Sequence, residues 1–311
     1  MTPLRLVFAG TPAAAVPSLE RLAAGPHTIV SVITRPDAPV GRKRVLTPSP
    51  VAAEAEQLGL PVLRARRLDD AVTAEIAALA PDLGVIVAYG GLVREPLLST
   101  PRHGWINLHF SLLPAWRGAA PVQHSLIAGD PELGAAVFRL VPELDAGDVF
   151  AEFRRPDDGT STAGEVLDRF AHDGAELLAG VVDGIADGTA RATPQKGTPS
   201  LAPKLDVAAG RLDWTRPAAE VLARYRGVTP EPGAWTTVGG ERVKVLEARA
   251  ADLAEASEPL PAGRLRAERR RVLVGTATTP VELVRVQPAG RAAMRAADWG
   301  RGLGADALDA G

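Results

Sequence analysis

The first half of the chain alternates short, unbroken apolar runs with longer Ala- and Leu-rich segments of helical periodicity, and this alternation constrains the fold most. Strands that are apolar throughout are typical of a sheet covered on both faces. The predicted strands are residues 4–8, 29–33 and 83–88, and the predicted helices are residues 15–24, 51–58, 71–79 and 168–182. The pattern predicts an α/β fold with a mostly parallel sheet.

A change of composition marks the end of this first part. Residues 189–205 are rich in Thr, Pro, Lys, Gly and Ser and offer little to pack, which predicts a linker. Beyond it, a helix and short β-like runs separated by charged and Gly-Gly turns predict a small antiparallel barrel. The helix is residues 218–226, and the strands are residues 238–248, 263–266, 271–276 and 281–286. The predicted limits are 1–189 for the first domain, 190–206 for the linker and 207–311 for the second domain.

The composition excludes several kinds of site. The sequence contains no cysteine, so disulfides, thiolate nucleophiles and cysteine-based metal sites are ruled out. No apolar run approaches the roughly 20 residues of a membrane-spanning helix, and residues 4–8 predict a buried strand rather than a signal peptide. The net charge of −2 is not typical of a nucleic-acid-binding protein, although the C-terminal part is the more basic one.

The densest cluster of side chains suited to chemistry follows residue 104. If residues 105–109 form a strand, its two-residue period places Asn107 and His109 on the same face. Acyl transfer to an amine needs a hydrogen-bond donor for an oxyanion and a proton acceptor near neutral pH, and an amide with an imidazole supplies both. The alternative is structural, with Asn107 capping a turn and His109 satisfied inside the core.

A second polar segment, residues 142–148, places two carboxylates around a glycine turn. It follows the apolar run of residues 135–141. A carboxylate from this turn beside His109 would orient the imidazole and favour its charged form. The alternative is a solvated acidic turn.

Short motifs along nearly the whole chain resemble a known family. In chain order they are Phe-Ala-Gly-Thr-Pro at residues 8–12, Pro-Asp at 36–37, Gly-Arg at 41–42, Pro-Ser-Pro-Val at 48–51, Val-Ala-Tyr-Gly at 87–90, Asn-Leu-His at 107–109, Ser-Leu-Leu-Pro at 111–114, Arg-Gly-Ala-Ala-Pro at 117–121, Leu-Asp-Ala-Gly-Asp at 144–148, Leu-Asp-Trp at 212–214, Pro-Gly-Ala-Trp at 232–235 and Gln-Pro-Ala-Gly at 287–290. The chain resembles the methionyl-tRNA formyltransferases, within the 10-formyltetrahydrofolate-dependent formyltransferase family. The resemblance implies a Rossmann-like formyltransferase domain followed by a small OB-like β-barrel domain that binds tRNA.

The resemblance also implies roles for individual residues. Asn107, His109 and Asp145 would be the catalytic residues that transfer a formyl group from 10-formyltetrahydrofolate to the amino group of methionine on initiator tRNA. The folate pocket of the family corresponds here to Ile86, Val87, Ala88, Tyr89, Gly90, Leu92, Ser111, Leu112, Leu113, Pro114, Leu140, Val141 and Glu143. The resemblance leads us to expect a cytoplasmic monomer that binds no metal and contacts no membrane.

The loop of residues 34–50 carries the narrower expectation about the acceptor. Its prolines bracket Arg42, Lys43 and Arg44, and in similar transferases an arginine at the position of Arg42 engages the acceptor end of tRNA. Phosphate contacts by this cationic tip would make the affinity for initiator methionyl-tRNA depend on salt. The alternative is an ordinary solvated loop.

Four other functions compete with this interpretation. A formyltransferase with the same catalytic residues could act on a small amine such as an amino sugar or glycinamide ribonucleotide, although the loop and the C-terminal domain argue against the latter. A folate- or nucleotide-binding regulator is disfavoured by the complete set of catalytic residues, and a simple nucleic-acid-binding module by the net charge. A dehydrogenase is disfavoured because residues 8–12 do not continue into Gly-x-Gly-x-x-Gly. Ala14, Glu143 and Glu231 depart from the usual residues of the family and bear on substrate affinity.

Overall fold

The structure is a computed structural model, and it describes residues 2–41, 43–252, 260–303 and 309–311. The chain forms two compact units. The N-terminal unit contains the residues up to Pro121 together with Glu132–Arg155 and Leu167–Ala202. The C-terminal unit contains Val122–Pro131, Pro156–Val166 and Pro203–Gly311. The domain limits expected from the sequence stay a prediction. Within the described residues, every helix is too short or too polar to cross a membrane.

The N-terminal unit is built on a seven-stranded sheet and two small two-stranded sheets. The strands are β1 (Arg5–Gly10), β2 (Thr28–Thr34), β3 (Ala38–Val40), β4 (Val45–Thr47), β5 (Val62–Arg64), β6 (Leu83–Val87), β7 (Trp105–His109), β8 (Arg117–Gly118), β9 (Glu132–Arg139), β10 (Val149–Pro156) and β11 (Leu201–Ala202). The order in the large sheet is β10-β9-β7-β6-β1-β2-β5.

The large sheet is mostly parallel, which confirms the predicted fold class. Its strands β5, β2, β1, β6 and β7 pair in parallel, and β9 runs antiparallel to β7. The chain leaves β1 toward β2 on one side and later returns to β6 on the other, so the strand order reverses at the β1–β6 pair. In open α/β sheets, ligands bind beyond the carboxyl ends of the strands at such a reversal. Strand β7, which carries Asn107 and His109, lies directly beside β6.

Some of the helices follow a residue whose side chain satisfies one of their first backbone amides. Ser49 accepts a hydrogen bond from the amide of Ala52 at 3.0 Å, and Asp69 accepts one from the amide of Val72 at 3.1 Å. The helices are α1 (Val16–Ala23), α2 (Pro50–Gln57), α3 (Asp70–Ala78), α4 (Pro121–Ala128), α5 (Ala163–Ala186), α6 (Ala218–Gly227) and α7 (Ala296–Gly300). The sequence located α1, α2, α3 and α6 within a residue or so, whereas α5 is longer at both ends than the predicted 168–182.

The C-terminal unit contains a curled antiparallel sheet of six strands, in agreement with the predicted OB-like domain. The strands are β12 (Trp235–Val238), β13 (Glu241–Ala250), β14 (Leu265–Ala267), β15 (Val272–Val274), β16 (Val281–Pro288) and β17 (Met294–Arg295). The core of this unit packs valines from these strands around Trp214, whose indole donates a hydrogen bond to the Thr236 hydroxyl at 2.9 Å.

At three places the structure differs in detail from the elements predicted from the sequence. The predicted strand 238–248 is interrupted because Gly239 and Gly240 form a turn, both with positive φ, between β12 and β13. The loop of residues 34–50 contains the antiparallel hairpin β3–β4. The predicted linker contains β11, which pairs in parallel with β8.

Candidate active site

Strand β7 presents Asn107 and His109 on one face of the large sheet. Asn107 lies opposite Ile86 of β6 and Phe138 of β9. Leu108 points to the other face and packs closely on Gly174 of α5. A Cβ added to Gly174 would lie only 2.8 Å from Cδ2 of Leu108. Because side chains alternate along a strand, the two polar residues share the face away from α5.

His109 is a buried imidazole with one ring nitrogen committed to the protein. Its side chain is 6% exposed, and Nε2 donates a hydrogen bond to the carbonyl of Trp116 at 2.9 Å. The ring also meets Phe138 edge to face, with centroids 6.2 Å apart. Since a carbonyl only accepts, the neutral ring carries its proton on Nε2 and leaves Nδ1 as the basic nitrogen.

Burial keeps the His109 ring uncharged more readily than water would. Desolvation lowers the pKa of His109 below its usual 6.5, and the negative charge of Asp145 and the Trp116 carbonyl act in the opposite direction. The net shift is downward. The imidazole is therefore neutral near pH 7 and able to accept a proton.

Asp145 faces the basic nitrogen of His109 without a direct hydrogen bond. Its Oδ2 lies 3.9 Å from Nδ1, and the same oxygen accepts a hydrogen bond from the Gly118 amide at 2.8 Å. At 3.9 Å the carboxylate acts on the ring through its charge, because a hydrogen bond would be shorter. The ring is oriented by the Trp116 carbonyl, a contact that no sequence pattern indicated.

Asn107 leaves a polar atom unsatisfied at this site. Its Oδ1 is buried and has no hydrogen-bond partner within the described part of the chain. Buried polar atoms are normally paired, so this unpaired oxygen, two residues before the buried imidazole, marks a candidate position for a substrate group. The amide can turn either its oxygen or its nitrogen to such a group.

The segment after β6, predicted to line the folate pocket, exposes its backbone and buries its aromatic ring. Ala88 has a left-handed φ of 49° and is exposed, as are Gly90 and Leu92. Tyr89 is buried, and its hydroxyl donates a hydrogen bond to the Ala65 carbonyl at 3.2 Å. Burial raises the pKa of Tyr89. The main chain, not the tyrosine side chain, is the part of this segment that a ligand can reach.

Arg35, which the sequence did not single out, anchors this segment from the end of β2. Its guanidinium donates to the Gly90 carbonyl at 2.6 Å and to the Arg66 carbonyl at 2.5 Å, and it lies 5.4 Å from the centre of the Tyr89 ring. These contacts fix the exposed backbone beside the carboxyl end of β6.

The remaining predicted folate residues differ in how far a ligand can reach them. The Ser111 hydroxyl is buried and donates to the Ala115 carbonyl at 2.6 Å. Leu113 packs with Ala136 and Phe138, and Pro114 is also buried. The others are half-buried or exposed: Leu112, Leu140 and Val141 are half-buried, and Glu143 is exposed. The buried residues Ser111, Leu113 and Pro114 are therefore less accessible to a ligand than the others.

The predicted tRNA contacts lie at the tip of the β3–β4 hairpin. Lys43 and Arg44 are exposed there, and Arg42 lies outside the described residues. The amide of Arg44 donates to the Gly41 carbonyl at 3.1 Å, which closes the turn.

Taken together, a buried neutral imidazole, a facing carboxylate and an unsatisfied amide beside a parallel sheet form a candidate site for proton-assisted group transfer. Comparisons with known proteins narrow this class. A family model described as "Formyl transferase" matches residues 4–182, and one described as "Formyl transferase, C-terminal domain" matches residues 204–304.

Relatives of known name cover nearly the whole chain. A methionyl-tRNA formyltransferase from Leifsonia xyli subsp. xyli is 62% identical over 98% of this chain and 99% of its own length. One from Clavibacter sepedonicus is 63% identical over 96% of this chain and 97% of its own length. The crystal structure of an N-formyltransferase from Helicobacter canadensis in complex with folinic acid and dTDP-3-aminofucose shares the fold, with a TM-score of 0.68 at 15% identity over 92% of this chain and 99% of its own. The chain belongs to the formyl transferase family.

Proposed function

We propose that this enzyme transfers a formyl group from 10-formyltetrahydrofolate to the amino group of methionyl initiator tRNA. The observation that carries the proposal is the placement of neutral His109 between the Trp116 carbonyl and Asp145, beside the orphaned amide of Asn107. The names of relatives that are more than 60% identical over nearly the full chain support this acceptor. A cytoplasmic location and a monomeric state belong to the proposal, and a bound metal does not.

His109 handles the proton of the incoming amine. The amine of methionine reaches the site as ammonium and becomes a nucleophile only after it loses a proton. Nδ1 accepts that proton, directly or through a water molecule, because Nε2 is committed to Trp116. The imidazolium that results is stabilised by the negative charge of Asp145 at 3.9 Å.

Asn107 and the protonated His109 stabilise the charge that develops on the formyl oxygen. When the amine attacks the formyl carbon, the carbonyl oxygen becomes a tetrahedral oxyanion. The Asn107 amide donates a hydrogen bond to this oxyanion. Because the amide is already held in the site, it need not reorganise when the charge develops. Collapse of this species breaks the bond to the folate nitrogen, which takes the proton held on His109 and leaves as tetrahydrofolate. The attacking nitrogen releases its second proton to solvent and keeps the formyl group as an amide.

The folate co-substrate supplies the formyl group and binds along the exposed backbone of the segment after β6. A pterin edge offers donors and acceptors much as a base edge does, and the accessible main chain of Ala88 and Gly90 can pair with it. The orphaned Asn107 Oδ1 fits the arrival of a polar group at the inner end of this surface. In the proposal, the half-buried Leu112, Leu140 and Val141 flank the ring.

Arg42, Lys43 and Arg44 contact the phosphates of the acceptor end of tRNA in this proposal, with the C-terminal unit holding further parts of the tRNA. The exposure of Lys43 and Arg44 on a protruding hairpin supports the assignment. The competing acceptor is an amino sugar, such as the dTDP-3-aminofucose of the Helicobacter complex, but that protein is only 15% identical.

The test is transfer of labelled formyl from 10-formyltetrahydrofolate to three acceptors offered separately: methionyl initiator tRNA, free methionine and dTDP-3-aminofucose. We expect label on the tRNA and background levels on the two small amines. Label on the amino sugar with none on the tRNA would replace the proposed acceptor and retain the chemistry. Failure to label any of the three would overturn the proposed function.

A further inference from the structure

The segment of residues 193–202, expected to be a linker, makes ordered contacts with the catalytic part of the N-terminal unit. Thr193 exchanges two backbone hydrogen bonds of 2.9 Å with Val149 at the start of β10. At the other end of the segment, β11 pairs with β8, and the Arg117 amide donates to the Ser200 carbonyl at 2.9 Å. We call this stretch the 193–202 segment.

Gln195 uses its whole amide group to hold the loop that carries Asp145. Its Nε2 donates to the carbonyls of Asp145 and Gly147, both at 2.8 Å. Its Oε1 accepts from Nη2 of Arg117 at 2.6 Å. One side chain thus fixes the backbone of the catalytic carboxylate on both sides of a single turn.

Ser200 holds the backbone that orients His109. Its hydroxyl accepts a hydrogen bond from the Trp116 amide at 2.9 Å, and the carbonyl of Trp116 in turn accepts from His109 Nε2 at 2.9 Å. The peptide units on either side of Trp116 are therefore tied to the segment on one side and to the imidazole on the other.

Both of the residues held in this way have an unfavourable backbone conformation. Asp145 has a φ of 45° and Trp116 a φ of 63°, and they are two of the five non-glycine residues with left-handed φ in the described part of the chain. Such conformations persist only where surrounding contacts over-determine them, and they are concentrated at functional sites. At Asp145 and at Trp116, side chains of the 193–202 segment supply those contacts.

We propose that Gln195 and Ser200 are positioning residues for formyl transfer: Gln195 holds Asp145 in place, and Ser200 holds the carbonyl that orients His109. The inference rests on the proposed function only in that His109 and Asp145 take part in the reaction. Loss of either contact lets a catalytic group move by a fraction of an ångström to an ångström, a change that can reduce turnover by about 100-fold.

The experiment compares five single-residue variants with the wild type in the full chain, using the acceptor that the wild type labels. Gln195→Ala removes all of the amide contacts. Gln195→Glu keeps the shape and the acceptor for Arg117 but loses both donors. Ser200→Ala removes the hydroxyl, and Ser200→Thr keeps it. Gln57→Ala, at an exposed amide on α2, is the matched control. Kinetics are measured with both substrates, and thermal unfolding is measured for each variant.

We expect kcat to fall by about 10- to 100-fold in Gln195→Ala, Gln195→Glu and Ser200→Ala, with both KM values within about threefold of wild type. Ser200→Thr should recover most of the activity, and Gln57→Ala should behave as wild type. Combined with His109→Ala, Gln195→Ala should lower the residual rate by less than about twofold, because residues that act as a unit are not additive.

Wild-type kcat in Gln195→Ala and Ser200→Ala would overturn the inference. A reduction of kcat by Gln195→Ala that is just as large in the His109→Ala background would also overturn it. A reduction of kcat that merely follows the loss of folded protein in the unfolding measurements would do the same. Because every rate is a ratio to the wild type, a wild type that labels an amino sugar instead of tRNA would refute the proposed acceptor and leave this test intact.

Discussion

The loop of residues 34–50, which contains the β3–β4 hairpin, and the 193–202 segment have similar compositions and different environments. Both are rich in proline and polar residues, and the sequence predicted irregular structure for both. The hairpin is held at its base by the hydroxyls of Thr34 and Ser49, 2.6 Å apart, and it exposes Val45 and Leu46 by 59% and 68%. In the 193–202 segment, Gln195 and Ser200 are half-buried and bind the backbone of Asp145 and Trp116.

Polar composition alone therefore does not distinguish a solvated segment from one whose side chains hold a strained backbone. Hydrogen bonds to main-chain groups of distant residues have no periodicity, so they leave no pattern in the sequence. The same composition can thus form a surface that a substrate approaches or a frame that holds a site. Four experiments separate these roles, beginning with the largest expected effect.

The first experiment tests whether His109, the imidazole that the 193–202 segment helps to orient, takes part in the reaction. His109→Ala should lower kcat by about 10²- to 10⁴-fold, because the amine loses its proton acceptor. His172→Ala, at an exposed histidine on α5, is the control for loss of an imidazole. The measurement is steady-state formyl transfer at saturating substrates. Near-normal turnover in His109→Ala would mean that the segment surrounds a structural histidine.

A pair of glycine substitutions compares the two regions directly. Gly118 of β8 has a φ of 129°, and a Cβ there would lie 2.7 Å from the carbonyl oxygen of Ala202. Gly118→Ala should therefore lower the free energy of unfolding by about 3 kcal/mol and kcat by about tenfold or more.

Gly41 at the hairpin turn also has a positive φ, 71°, but nothing lies within 4 Å of an added Cβ. Gly41→Ala should lower the free energy of unfolding by only about 1 kcal/mol, because the left-handed backbone conformation is the only unfavourable term. Urea unfolding and kcat give both quantities. Equal losses of stability in the two variants would show that β8 beside the 193–202 segment is no more tightly packed than the hairpin turn.

The pH dependence of turnover tests the electrostatic environment of His109. Because burial lowers the pKa of His109, its neutral form is present at neutral pH and is lost as the pH falls through that lowered pKa. We expect kcat to be flat near pH 7 and to fall about tenfold per pH unit only below about pH 6.5.

Between the lowered pKa of His109 and the usual 6.5, the folded protein binds fewer protons than the unfolded chain, so stability should fall as the pH decreases through that window. Rates at saturating methionyl-tRNA and unfolding curves across this range provide the check. An acid limb centred above pH 7 would contradict a pKa lowered by burial.

The smallest effect is expected in the hairpin. Lys43→Ala combined with Arg44→Ala should raise KM for methionyl-tRNA about 3- to 10-fold at low salt and reduce the salt dependence of binding, with kcat almost unchanged. Arg66→Ala with Arg67→Ala, an exposed basic pair after β5, is the charge-matched control. Equal effects of the two pairs would assign tRNA attraction to the overall charge of the surface.

Much of the fold and part of the site could be predicted from the sequence. The buried strands β1 and β6 have unbroken apolar runs, and the run of β2 is interrupted only by Ser31. The two-residue period of β7 placed Asn107 and His109 on one face. The proximity of Asp145 to His109 came from family resemblance, since nothing local indicates which distant loop packs beside a strand. The roles of Arg35, Gln195 and Ser200 could not be predicted, because each acts on main-chain atoms far away in the chain.

The position of Ser200 in the chain has a consequence for how the enzyme is made. Ser200 lies 84 residues beyond the Trp116 amide that it holds, and Gln195 lies 50 residues beyond Asp145. A ribosome that has synthesised the sheet, the imidazole and the carboxylate has therefore not yet synthesised the residues that hold them in register. A nascent or prematurely terminated chain that stops before Gln195 contains every atom of Asn107, His109 and Asp145 and lacks the means to keep them aligned.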